Sequence, residues 1–283
     1  MENKKIDLTI SLVTYCNNEQ QVSRLVECIL NSQLNFQLVI LDHSPTPQFE
    51  YLKDSNNNNQ ILYFHNSYNP GFGAGHNNAF NHLTHNSNYH LVVNPDIYFN
   101  NNILIELLNF LDSNQNVGIV MPKICYPNGE IQKVVKLLPS PFILLARRLL
   151  PIFLFKKFNE RFELLKFNYS YILDVPFLSG CFMLIKSDIF IKINGFDENI
   201  FMYTEDIDIC RRMNNAGYRT VVYPFVNVFH DHQIKSIFRL KSFIIFLKSF
   251  LYYFNKWGWL IDSNRKNLNK ITLQKLNYKD NVI

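Results

Sequence analysis

Between Thr204 and His232 the chain gathers groups that can move a proton or hold a cation: Glu205, Asp206 and Asp208, then His230 and His232 after the next strand. A carboxylate beside a reacting hydroxyl serves as a general base, and imidazole is a common metal ligand. The spacing predicts a helix that begins at the acids, with Thr204 as N-cap, Ile207, Ile209, Cys210 and Met213 as its apolar side, and Gly217 as its stop. Asp206 then lies in the first turn, where backbone N–H groups and the helix dipole favour its ionised form. Acids in a first turn also serve helix stability alone, so a chemical role needs other segments to agree.

Those segments lie in the first hundred residues, which alternate strand and helix patterns. Leu8 to Tyr15 is an apolar, β-branched run, and Val22, Leu25, Val26, Ile29 and Leu30 follow at helical spacing. Further strands are expected at Phe36 to Leu41, Gln60 to His65, Leu91 to Val93 and Val226 to Phe229, with a short helix around Ala79, Phe80 and Leu83. Buried strands alternating with helices imply an α/β fold with a mostly parallel sheet covered on both faces. Ligands of such sheets bind beyond the carboxyl ends of the strands, where Thr14, Asp42, the loop Asn69 to Asn78 and Asp96 fall. Asp42 either accepts hydrogen bonds from a base or ribose or caps the turn before Ser44-Pro45. Gly71, Gly73 and Gly75 let a backbone approach a ligand before a helix start, although His76 breaks the dinucleotide pattern. Asn94-Pro95-Asp96 either ends a strand in a turn or presents a carboxylate to a hard divalent cation bridging two phosphates.

The segments SLVTYCNNE, NPGFGAGHNNAF, VVNPDIYF, FLSGCFMLIKSDIF and NGFDENIFMYTEDIDICRRMNNAGYRTVVYPFVNVFH together resemble a family 2 glycosyltransferase of the GT-A type, in its bacterial rhamnosyltransferase-like branch. The resemblance spans about residues 8 to 232 and implies the nucleotide-diphospho-sugar transferase fold, with a central sheet flanked by helices. It implies inverting transfer of a sugar from a nucleotide-sugar donor, with dTDP-rhamnose first and UDP-hexoses open, to a hydroxyl of a cell-surface glycan or lipid-linked glycan. Carried over by residue, Thr14, Tyr15, Asp42, Asn69, Gly73 and Asn77 bind the nucleotide. Asp96, the last acid of a D-x-D motif in which Asn94 replaces the first, binds Mg²⁺ or Mn²⁺ with His230. Asp206 is the base with Glu205 beside it, and Asn94, Ser179, Gly180 and Asp208 line the sugar and acceptor pocket. A bulkier residue at Gly180 is expected to close that pocket.

Composition frames this reading. The 283 residues, nearly half of them apolar, suffice for one sizeable core, and Asn56 to Asn59 reads as a loop. Cys16, Cys28, Cys125, Cys181 and Cys210 form no C-x-x-C pair and read as structural thiols of a reducing compartment. The N-terminus reads as a strand rather than a signal peptide, and no run reaches the roughly 18 to 20 apolar residues of a spanning helix. A cytoplasmic chain is expected, peripheral on the inner face of the cell membrane. That membrane reading rests on Pro139 to Phe167 and on the tail after Asp231, where large apolar residues alternate with Arg147, Arg148, Lys156, Lys157, Lys235, Arg239, Lys241, Lys248 and Lys256. Core helices with snorkelling lysines give the same pattern. Residues 1–232 are therefore expected to form the catalytic domain, 135–170 an acceptor-side or membrane-side insertion, and 233–283 a C-terminal amphipathic helical extension. A net charge of +5 without a recognition motif excludes nucleic acid as partner. A pyrophosphorylase needs a basic glycine loop after the first strand, and a processive synthase needs Q-x-x-R-W; neither occurs. The alternative outside enzymes is a catalytically inactive, membrane-associated scaffold.

Overall fold

The structure, a computed structural model, describes residues 6–55, 60–100, 102–232 and 240–277. The loop Asn56 to Asn59, Lys235 and Arg239 of the expected membrane segment, and the junction at 233 fall outside the described residues. In chain order the elements are β1 (Leu8–Thr14), α1 (Glu19–Leu30), β2 (Phe36–Asp42), β3 (Ile61–His65), α2 (Phe72–Asn81), β4 (Tyr89–Val93), β5 (Ile97–Phe99) and α3 (Ile103–Ser113). There follow β6 (Val117–Cys125), β7 (Val135–Lys136), α4 (Pro141–Leu149), α5 (Lys156–Phe162), β8 (Leu173–Asp174), β9 (Phe177–Leu178) and β10 (Phe182–Lys186). The last are α6 (Ser187–Lys192), α7 (Glu205–Asn215), β11 (Arg219–His230), α8 (Leu240–Trp257) and α9 (Ser263–Lys275).

The main sheet runs β3-β2-β1-β4-β10-β6-β11-β5, with β8 also on β11. β1 lies parallel to β2 and β4, β2 to β3, and β6 to β11. β10 is antiparallel to β4 and β6, and β5 to β11. The helix-flanked central sheet is as the sequence implies, but it is mixed rather than mostly parallel, because β10, β5 and β8 run antiparallel to their neighbours. Leu8, Ile10 and Leu12 of β1 and Leu38, Val39 and Ile40 of β2 are fully buried, as strands covered on both faces must be. α1 begins where the Asn18 side chain accepts the N–H groups of Gln20 and Gln21, and it buries Val22, Leu25, Val26 and Ile29.

The C-terminal helices are fastened to α7. Arg211, fully buried, pairs with Asp262, stacks 4.2 Å from the Trp257 ring centroid, and donates to Asn264 at 2.9 Å. Leu138 N donates to Asn269 Oδ1 at 2.8 Å, and Asn269 returns a bond to the Leu138 carbonyl, so α9 also holds the chain leading into α4. The segment expected as one interfacial helix is two short ones, α4 and α5, joined by a single 3₁₀ turn at Ile152–Leu154. Arg148 of α4 reaches the Ser242 carbonyl and the Phe246 ring of α8, so two segments far apart in sequence share one face. Phe142, Leu149, Phe153 and Phe158 of the first segment and Ile244 and Leu247 of α8 are exposed. Among the described residues no helix is long and apolar enough to cross a membrane.

Candidate active site

Asp96 and His230 meet because β5 pairs antiparallel with the end of β11, with His230 opposite Ile97. The turn before β5 is closed by Ile97 N to the Asn94 carbonyl at 3.2 Å, and Asp231 N donates to the Asp96 carbonyl at 2.9 Å. His230 Nε2 stands 3.2 Å from Asp96 Oδ1, and His232 Nδ1 stands 3.9 Å from Oδ2. One ligand atom from each residue fits within 4.8 Å of the others. Both Asp96 Oδ1 and His230 Nε2 are buried without a hydrogen-bond partner among the described residues.

Gln132 explains why. Its Nε2 donates to the His230 carbonyl at 2.8 Å, so its Oε1, 2.9 Å from His230 Nδ1, must accept the proton there. With Nδ1 so protonated, a neutral imidazole presents a bare Nε2 to the carboxylate oxygen, where a cation must lie between them, and a charged imidazolium presents Nε2–H to it as a donor. A hydrogen-bond partner on the far nitrogen is the usual support of a metal-binding histidine. Burial alone would raise the Asp96 pKa, yet the imidazoles of His230 and His232 hold it well below the carboxylate range. The donor set of one carboxylate and imidazole nitrogens fits a divalent first-row transition metal such as Mn²⁺ better than the oxygen-seeking Mg²⁺.

Asp206 opens α7 as expected, but its cap differs. The Thr204 side chain does not cap the helix; its hydroxyl donates toward the Ser249 carbonyl of α8. Asp206 Oδ1 accepts Ile207 N at 2.8 Å, and Oδ2 accepts Gly180 N at 3.2 Å. Burial pushes the Asp206 pKa up, against those hydrogen bonds and the Lys136 charge that lower it, so desolvation outweighs the helix dipole on which the sequence expectation rested. Glu205 is raised further, by burial and by Asp206, and its Oε2 is buried without a partner among the described residues. The two halves of the site join at Cys181, whose carbonyl accepts Asn94 N at 2.9 Å. Burial pushes its thiol up to about 12, and both Asp96 and Asp206 add to that. Asn94, Ser179 and Gly180 thus lie between the two acids. A Cβ on Gly180 would come 3.1 Å from the Phe72 ring and 3.5 Å from Asp206 Cβ, which gives the expected need for glycine there a contact.

Other expected site residues have structural partners instead. Asp208 is fully buried and receives Trp257 Nε1 at 2.8 Å, Arg212 Nε at 2.7 Å and Lys256 Nζ at 2.7 Å. It lies two residues from Asp206, on the opposite side of the helix, and ties α7 to α8 rather than lining a pocket. Asp42 is buried with both oxygens filled, by Thr14 Oγ1, Ser44 N, Gln48 N and the Tyr63 hydroxyl. Burial opposes but does not overcome those bonds, and its pKa is lowered. Of its two open readings, the turn-capping one is what the geometry shows. Gly73 lies inside α2, where a Cβ would come within 2.7 Å of Phe196 Cβ, so close packing on Phe196 already requires glycine there. Asn77 binds the Phe196 backbone through both ends of its amide, at 2.9 Å each. Asn69 accepts Gly71 N in a local turn, Thr14 is fully buried, and Tyr15 is half-exposed beside them.

Gln132 and Lys136, both in the stretch after β6, are residues of this site that sequence reasoning missed. Neither sits in a motif, so no signal in the chain marks them.

A family model described as glycosyl transferase family 2 matches residues 11–193. The chain belongs to that family. A model described as the N-terminal domain of galactosyltransferase matches residues 161–240, the stretch holding α7 and His230. The glycosyltransferase is 27% identical over 209 residues to rhamnosyltransferase WbbL of Escherichia coli (strain K12), covering 71% of this chain and 76% of that protein. It is 28% identical over 141 residues to the N-acetylglucosaminyl-diphospho-decaprenol L-rhamnosyltransferase of Mycobacterium tuberculosis (strain CDC 1551 / Oshkosh), which is 50% of this chain and 46% of that longer protein. Among solved structures it resembles the mannosyltransferase PcManGT from Pyrobaculum calidifontis, in complex with GDP-Man and Mn²⁺, with TM-score 0.61 and 12% identity over 95% of this chain and 69% of that one. The fold is GT-A, and the protein is a nucleotide-sugar glycosyltransferase similar to rhamnosyltransferases.

Proposed function

We propose that this glycosyltransferase moves rhamnose from dTDP-rhamnose, with inversion, to a hydroxyl of a growing, lipid-linked cell-surface glycan. The observation that carries the reading is the shared cleft: the Asp206 carboxylate, fixed by Gly180 and Ile207, faces the same Cys181 segment as the Asp96 and His230 pair. The acceptor hydroxyl gives its proton to Asp206 as its oxygen bonds to the anomeric carbon, while the bond from that carbon to the diphosphate breaks. A carboxylate whose pKa burial has raised toward the working pH suits this proton transfer. Asp96 and His230, with His232 beside them, would hold Mg²⁺ or Mn²⁺, which supplies positive charge for the leaving diphosphate. The names of the two relatives support rhamnose as the sugar, and the mycobacterial name supports a lipid diphosphate acceptor.

In this reading residues 1–232 are the catalytic unit, 135–170 an acceptor-side insertion, and 233–283 an extension that braces α7. The exposed apolar face of α4, α5 and α8, with Arg147, Lys156 and Lys157 close by, lies on the cytoplasmic leaflet. Thermal-shift measurements against dTDP-, UDP- and GDP-sugars, with and without Mn²⁺, test the donor. A Mn²⁺-dependent rise with dTDP-rhamnose alone is expected. A rise confined to UDP-sugars would reassign the enzyme as a UDP-hexose transferase.

A further inference from the structure

Lys136 ends β7, which pairs antiparallel with β9, placing Lys136 opposite Phe177. β9 leads directly into Ser179 and Gly180, the segment that donates to Asp206. The Lys136 ammonium is held by aromatic walls, 5.8 Å from the Phe162 ring centroid and 6.0 Å from that of Phe177. It makes no hydrogen bond or ion pair with another described residue, and the side chain is half-buried. Its nearest acids do not meet it. Glu163 spends its oxygens on Arg147, at 2.7 Å, and on the Asn159 amide, at 2.8 Å. Asp206 acts on it through space and is itself fixed by two backbone N–H groups.

Two other lysines of this chain are satisfied, whereas half-buried Lys133 likewise makes no hydrogen bond or ion pair with a described residue and lies 5.2 Å from the Tyr169 ring centroid. Lys186 reaches the Asn114 and Gln115 carbonyls, and Lys256 pairs with Asp197 and Asp208. The Lys136 ammonium nitrogen still touches water, and its three donors are open to an anion that enters beside Asp206. Burial, with Arg147 next, lowers its pKa to about 8, so it remains charged at neutral pH.

We infer that Lys136 is an anion subsite of the transfer cleft, binding a phosphate group of a diphosphate-bearing substrate. The inference rests on the proposed transferase reading, since transfer from a nucleotide-sugar brings a diphosphate to Asp206, and a lipid-linked acceptor brings a second one. Both sources present the same oxygens to the ammonium. The side of the cleft that carries Lys136 also carries Arg147 and α4, whose exposed apolar residues form the face assigned to the lipid.

The test titrates the purified full chain, as wild type, Lys136→Gln and Lys136→Arg, with dTDP, UDP and farnesyl diphosphate at one fixed Mn²⁺ concentration, by calorimetry. Lys136→Gln is expected to weaken one of these ligands by about tenfold or more, because a charge-assisted hydrogen bond is lost, and Lys136→Arg to recover part of it. The melting temperature of Lys136→Gln should hold or rise. Loss confined to dTDP or UDP assigns the donor diphosphate, and loss confined to farnesyl diphosphate assigns the acceptor. Equal affinities of wild type and Lys136→Gln for every ligand that the wild type binds overturn the inference while leaving the transferase reading intact. A wild type that binds none of the three overturns both.

Discussion

Replacing Asp206 by asparagine removes the proposed base while changing almost nothing else. Asparagine keeps the volume and one acceptor, so either Ile207 N or Gly180 N keeps a partner and the other loses one, at about 1 to 3 kcal/mol. Against that loss stands removal of a charge that burial disfavours, together with relief of Glu205, whose pKa Asp206 helps to raise. The two effects are of similar size, so the melting temperature should move by only a few degrees. Its pH dependence has a definite sign. The folded-state pKa of Asp206 lies above its ordinary 3.8, so the folded chain keeps a proton that the unfolded chain has released, and wild-type stability falls as pH rises from about 4 through the folded value. The variant lacks that group, so its melting temperature relative to wild type should improve over the same range. Turnover should fall by about 10²- to 10⁴-fold, or about 3 to 5 kcal/mol in the barrier. The assay is the initial rate of nucleoside diphosphate release with the donor and acceptor that wild type turns over, beside calorimetric donor binding. A kcat within tenfold of wild type, with donor binding unchanged, would refute the assignment of the base.

Three further outcomes follow from the geometry. Gln132→Leu frees the His230 tautomer and should weaken Mn²⁺ binding by about 10- to 100-fold in a direct titration; unchanged affinity would mean that Gln132 does not support a metal ligand. Asp208→Ala strips a buried carboxylate from Arg212, Lys256 and Trp257 and should cost about 3 kcal/mol in denaturant unfolding. A loss below about 1 kcal/mol would contradict its structural role. Gly71→Ala puts a Cβ 2.4 Å from the Phe201 carbonyl oxygen at φ +100°, and should cost at least about 2 kcal/mol; an unaltered unfolding midpoint would show that the turn can relocate without strain.

The strands and the acid-bearing helix were legible because their signals are local. The apolar runs at Leu8 and Phe36 became buried parallel strands within a residue of their expected ends, and α7 begins at Glu205. The glycine loop misled because glycine type reports only that something comes close. Val13, Phe196 and Phe201 turned out to be that neighbour. Asp208 misled for a related reason, since its sequence neighbours put it in an acidic cluster while helical geometry turned it away from Asp206 toward Trp257. β6, with its place beside β10 and β11, was not anticipated from the pattern.

By itself the sequence determined the α/β class, the alternation that builds a parallel sheet, and the residue types at the strand ends and at the first turn of α7, because periodicity and capping act over a few residues. The tertiary structure alone decided that Asp96 meets His230 across 133 intervening positions, that Gln132 holds the proton on His230 Nδ1, and that Lys136, without a hydrogen bond among the described residues, feels the charge of Asp206. It also decided the protonation behaviour of Asp206, since desolvation depends on what covers a carboxylate, and here that cover comes from chain segments remote from it in sequence.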